Sequence, residues 1–181
     1  IIEDGREIDL ATLRRSSGLV SQANICRVLD RRWEALGREP NANDVERATW
    51  YTYERGKSIT ARQYLDGLAA VHESGRQFAA FMSRYDVILS ATVSAPPPPL
   101  GHLDMNGDPA TFIERTNDVI AVTPLHNATG TPAMSVPLHW NADGLPIGVH
   151  FAGRFGEENT LLKLAAQLES AAPWFDRVPQ L

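Results

Sequence analysis

A chain of 181 residues that is 43% hydrophobic, with a formal net charge of -5, falls among ordinary globular proteins and has length for one domain or a little more. Its 17 basic residues against 22 acidic ones form no long basic run, which argues against a nucleic-acid partner, and no apolar stretch approaches the roughly 20 residues that cross a bilayer. The single Cys26 excludes an internal disulfide framework and makes a reducing, cytoplasmic setting the default.

The opening "IIEDGREIDL" has neither a start methionine nor the basic head and apolar body of a signal peptide, so the sequence reads as beginning inside a longer protein. Residues 1–85 read as mainly helical. One helix is expected over residues 19–36 and a second opening at Asn43 or Asp44. Cys26 lies in the amphipathic stretch "VSQANICRVLD", where a buried structural thiol is expected rather than a nucleophile. Trp33, Trp50, Tyr51 and Tyr53 are expected to pack helices together rather than cage a ligand. "TARQ" is a capping box: Thr60 caps the first turn and Gln63 reaches back. The helix it opens runs through Tyr64, Leu65, Leu68, Val71, Phe78, Phe81 and Met82 to end near Tyr85.

From Asp86 the period changes. "VILSATV" is a β-branched run stopped by the Pro96 to Pro99 tract and predicts a buried strand. Asp108 followed by Pro109 predicts a capped helix through Phe112, Ile113 and Val119. Asp143-Gly144 then marks a hairpin. A two-residue turn there sets Trp140 opposite Ile147, Leu138 opposite Val149 and Val136 opposite Phe151, giving one apolar face. Pro132 and Pro146 start strands, while interior Pro137 demands an edge, a bulge or an outward N–H. A last helix carries Leu161, Leu162, Leu164 and Leu168, stops before Pro173 and is expected to cover the hairpin's apolar face. Residues 86–181 are thus strand, helix, hairpin, helix, an α/β pattern.

The local signatures of the common hydrolase, zinc and phosphate sites are absent. There are two lysines, Lys57 and Lys163, the latter on the exposed side of its helix. Ser135, His139 and His150 share one predicted hairpin face, as a nucleophile with its base or as an ordinary polar sheet face. His102, Asp104 and Asp108 are candidate cation ligands, or a solvated loop. Asn127-Ala128-Thr129 is a formal glycosylation sequon without a secretory signal. Asp118 and His126 precede the hairpin and face a pocket or serve caps and turns.

The segment "YDVILSATVSAPPPPLG" resembles a Tyr-Asp-Val-Leu-Leu-x-Pro-Thr-x-x-x-x-Ala-Pro-x-x-Gly stretch of the amidase signature family. "HNATGTPAMSVPLHWNADGLPIGVHFAGRFGEENTLLKLAAQLE" is similar to that family's C-terminal block, with its Asn-x-Thr-Gly-x-Pro-Ala-x-Ser-Val-Pro, Gly-Leu-Pro-x-Gly-x-Gln and Gly-Arg elements. "TWYTYERGKSITARQYLDGLAAVHESGR" looks like the segment preceding it in members similar to cyclic-oligoamide and acylamide hydrolases. His150 stands where the family more often has Gln, and Ala91 where it usually has Pro.

The resemblance implies that residues 1–181 are the C-terminal portion of an amidase domain, in an α/β fold whose strands are part of a mixed sheet flanked by helices. It implies an upstream serine, cis-serine and lysine as catalytic groups, and no catalytic residue in this chain. Asp118, His126, Asn127 and Thr129 are then the substrate-pocket candidates, with no metal and no cofactor. The implied partners are a small-molecule amide, the N-terminal part of the same enzyme and a second copy of the protein. The rival readings are a non-catalytic binding or assembly module, and a self-contained hydrolase using Ser135 with His139 or His150.

Overall fold

The computed structural model describes residues 9–178, which divide into two compact units. One unit comprises residues 9–73 and 98–118, the other residues 74–97 and 119–178. The opening "IIEDGREI", residues 1–8, lies outside the described residues.

In the first unit, α1 (Leu10–Ala35) starts well before residue 19, because the Asp9 carboxylate accepts a hydrogen bond from the Thr12 amide and satisfies a first-turn donor. Asp44 does not open a helix as expected. Its carboxylate accepts from Trp33 Nε1 at 2.9 Å and pairs with Arg38 at 3.0 Å, leaving a 3-10 turn (Ala42–Asp44) before α2 (Arg47–Lys57). Trp33, Trp50 and Tyr53 meet with ring centroids 5.1–6.2 Å apart, so the aromatics expected to pack helices do so, whereas Tyr51 lies at the surface. Cys26 is buried in this cluster. The loop after the proline tract returns to α2, with the Ala48 amide donating to Met105 O at 2.9 Å. Asp108 then caps α4 (Pro109–Val119) through the Thr111 amide at 2.8 Å, as its sequence predicts.

The Thr60–Gln63 capping box forms in both directions and opens α3 (Ala61–Met82). The second unit holds the end of α3, β1 (Val87–Ala91), α5 (Thr123–Thr129), β2 (Ala133–Trp140), β3 (Pro146–Gly153) and α6 (Glu158–Ala171). The three strands form an antiparallel sheet in the order β1-β3-β2. The mixed α/β class is as expected. β1 is less buried than expected, with Leu89 67% exposed on an edge strand.

The hairpin register differs from the predicted one. Trp140 lies opposite Pro146 and Val136 opposite Val149, with a register shift between Val136 and His139. Two causes act. The turn is longer than two residues, because Asn141 Oδ1 accepts from the amides of Asp143 and Leu145 and spreads the loop over residues 141–145. Pro137 then falls at the irregularity on an edge strand, where its missing N–H costs no ladder bond. The apolar face survives: Val136 and Phe151 pack with Leu161 of α6, joined by Leu138, Val149, Leu164 and Leu168. Arg154 closes this unit, donating from Nε to the carbonyls of Met82 and Tyr85 at 3.1 and 2.9 Å and from Nη2 to Asp86. It serves two C-terminal acceptors beyond the last α3 turns.

A candidate polar site on the sheet face

Strand alternation sends Val149 and Phe151 toward α6 and leaves Gly148 and His150 on the other face. On that face the register sets Ser90 and Ser135 on either side of His150. Ser90 Oγ lies 3.1 Å from His150 Nδ1, and Thr92 Oγ1 lies 2.6 Å from Ser135 Oγ. These last two hydroxyls sit over Gly148, where a Cβ would meet them at 2.7 and 2.5 Å. A glycine is required there by close approach, not by its backbone angles.

α5 supplies the cover. Pro124 stands in its first turn and Gly130, at φ 71°, ends it in the left-handed conformation. The short helix was not legible in the sequence, being a single Thr-Pro start without an apolar period. It buries His126 edge-on to Phe78, with centroids 5.5 Å apart, and 5.0 Å from the His150 ring.

The protons in this network follow from an inventory. Thr129 Oγ1 donates its one proton to Leu125 O at 2.9 Å, so in its 3.0 Å contact with Thr131 it accepts. Thr131 has then used its own proton and must accept from His126 Nδ1 at 2.9 Å. His126 is thereby fixed as the Nδ1–H tautomer, with its lone pair on Nε2. Burial, and secondarily the neighbouring His150, lowers the His126 pKa to about 4; burial also lowers that of His150. Near neutral pH both imidazoles are uncharged. The arrangement offers neutral acceptors on two buried imidazoles and hydroxyls at a more open rim, suited to binding polar N–H groups.

Of the expected pocket residues, His126, Asn127 and Thr129 share α5: His126 is buried, Thr129 half-buried and Asn127 exposed. Asp118 is exposed near the end of α4 and belongs to the other unit. The serine-histidine cluster is only partly assembled. Ser135 lies opposite His150, but its hydroxyl bonds Thr92, and His150 bonds Ser90. The irregularity at Pro137 moves His139 opposite Ile147 and leaves it exposed, out of the row with His150. Among the described residues no carboxylate bonds His150 to orient it as a base. Asp104 and Asp108 are occupied with the amides of Asn106 and Thr111, and no group of three or more metal-ligating residues occurs among the described residues. Lys57 and Lys163 are both exposed. Ser90, Thr92, Thr131 and Phe78 were missed as site residues, because only the β1–β3 register and the fold of α5 bring them to His126 and His150.

The profile of the family described as Amidase matches residues 10–162. A 6-aminohexanoate-cyclic-dimer hydrolase of Paenarthrobacter ureafaciens is 34% identical over 168 residues, 87% of this chain and 33% of the relative. A lipoamidase of Enterococcus faecalis is 26% identical over 156 residues, 76% of this chain and 22% of the relative. The solved structure of a 6-aminohexanoate cyclic dimer hydrolase complexed with substrate superposes with a TM-score of 0.85 at 30% identity, over 95% of this chain and 37% of that one. The chain therefore spans about a third of the length of the cyclic-dimer hydrolase it matches.

Proposed function

This chain belongs to the amidase family, and from that membership we propose that it is the C-terminal part of an enzyme that hydrolyses carbon–nitrogen amide bonds. The observation that carries the reading is the likeness to the cyclic-dimer hydrolase, which runs along most of this chain and extends to its three-dimensional structure. The serine, cis-serine and lysine that the family resemblance implies lie upstream, in the remaining length of such an enzyme. The substrate class is a linear or cyclic amide.

In this reading the chain contributes a wall and its support rather than the nucleophile. His126, Asn127 and Thr129 of α5 are the proposed wall residues, and Asp118 of the other unit is a separate candidate. The unprotonated Nε2 of His126 suits an amide N–H donor, whether from substrate or from the backbone of the rest of the enzyme. Leu89 of the β1 edge and Leu162 of α6, 67% and 68% exposed, suit coverage by that missing part, with a second copy of the protein as the other occupant. No helix among the described residues is long and apolar enough to cross a membrane, and the cytoplasm is the proposed location.

The test is release of ammonia or amine from a panel of linear and cyclic amides, by the whole protein and by residues 1–181 alone. Turnover by the whole protein only, little changed by Ser135→Ala, is expected. Turnover by the short chain that Ser135→Ala or His150→Ala abolishes would replace this reading with the self-contained hydrolase. A whole protein that turns over no amide would favour the non-catalytic module.

A further inference from the structure

A cavity of about 470 Å³ opens in the first unit between α1, the end of α2 and the start of α3. Its α1 wall comes from positions 14, 15, 18, 19 and 22, a helical spacing that aligns them on one face. Three arginines line it: Arg14 and Arg15 from α1 and Arg55 from α2. No Asp or Glu stands among the described residues of its lining. Arg15 and Arg55 hydrogen-bond neutral hydroxyls, of Thr12 at 3.1 Å and Tyr51 at 3.2 Å. Asp9, the carboxylate that feels the Arg15 charge, is already committed to the Thr12 amide. The aliphatic side chains of Leu19 and Ile59 line the same cavity. Gly18 keeps the space open, since a Cβ built on it meets nothing within 4 Å.

We propose that this cavity binds a small organic anion, a carboxylate or phosphate ester on an aliphatic stem. Guanidinium groups present planar donor forks to either oxyanion, and the site offers more than one of them. The volume exceeds what an inorganic ion fills and lies in the range of small-ligand pockets. Leu19 and Ile59 are placed to cover an aliphatic stem, which an inorganic ion lacks. The site is built from the first unit alone and is independent of the amide chemistry proposed for the whole protein.

The test is calorimetric titration of the whole protein carrying this chain with pentanoate, pentyl phosphate, inorganic phosphate, pentanol and pentylammonium. Pentanoate or pentyl phosphate is expected to bind, and which of the two binds tighter identifies the headgroup. Arg15→Gln and Arg55→Gln should each weaken that binding about tenfold, the range of one charge-assisted hydrogen bond, and added salt should weaken it further. Gly18→Leu should abolish binding by filling the cavity while raising the melting temperature, because it replaces a poor helix former. Binding of pentanol or inorganic phosphate as tight as that of the pentyl anions overturns the proposal. So does absence of any binding, or affinity unchanged in Gly18→Leu and both arginine variants.

Discussion

The imidazole rings of His126 and His150 face each other with centroids 5.0 Å apart and a 38° tilt, and among the described residues neither shares a hydrogen bond with a carboxylate. Protonating either one places a buried charge beside a ring that cannot neutralise it. Neutral imidazole is therefore a condition of this packing.

The consequence is a defined pH dependence. The folded His126 pKa of about 4 lies below its ordinary value of 6.5, so between these values the unfolded chain binds more protons than the folded one. Stability from this residue is fully present above pH 6.5, falls as the pH drops through that window, and is gone below about 4. The loss should be roughly 3 kcal/mol. Denaturant midpoints measured from pH 4 to 7 should show a shallower slope in His126→Gln than in the parent; equal slopes would reject the assignment.

Two glycines separate two kinds of close approach. A Cβ on Gly56 would lie 2.5 Å from the backbone oxygen of Gln22 and 2.7 Å from Cys26 Cβ, so α1 and α2 would have to move apart. Gly56→Ala is expected to cost on the order of 3 kcal/mol. At Gly148 the obstacles are the hydroxyl ends of Ser135 and Thr92. Gly148→Ala should cost about 1–2 kcal/mol, and adding Ser135→Gly should recover part of that. Urea unfolding of the two singles and the double distinguishes the cases.

Leu161 anchors α6 on the sheet, being 4% exposed against Val136 and Phe151. Leu161→Ala should destabilise by roughly 2–5 kcal/mol, whereas Leu162→Ala, at a position 68% exposed, should cost little in residues 1–181 alone. In the whole protein, where the proposed remainder covers Leu162, its cost should rise. Paired thermal melts of both variants in both contexts measure this.

Cys26 should be unreactive while the fold holds. Its thiol pKa is raised, first by burial and then by the Asp30 carboxylate that its Sγ contacts at 3.6 Å. A disulfide-exchange reagent at neutral pH is expected to modify it only at the unfolding rate and at once in urea. Rapid labelling of native protein would contradict the burial of the α1–α2 cluster.

What the sequence decided by itself is local. The Thr60–Gln63 box and the Asp108-Pro109 start each fix a helix end within a few residues, and alternation plus leucine spacing sets the apolar face of the hairpin against α6, since that face outlasts a change of register. The family resemblance was legible for the same reason, being carried by Gly and Pro positions such as Gly130 and Gly144, which take positive φ, and Gly148, where a Cβ does not fit. What only the tertiary structure decided is pairing at a distance. Asn141 and Pro137 jointly displace the strands, which separates His139 from His150, and β1 with the residue after it brings Ser90 to His150 across 60 residues of chain and Thr92 to Ser135 across 43. Period-2 alternation is blind to a bulge and to which strand lies in the centre, so the histidine site had to wait for the sheet order and for the α5 cover over it.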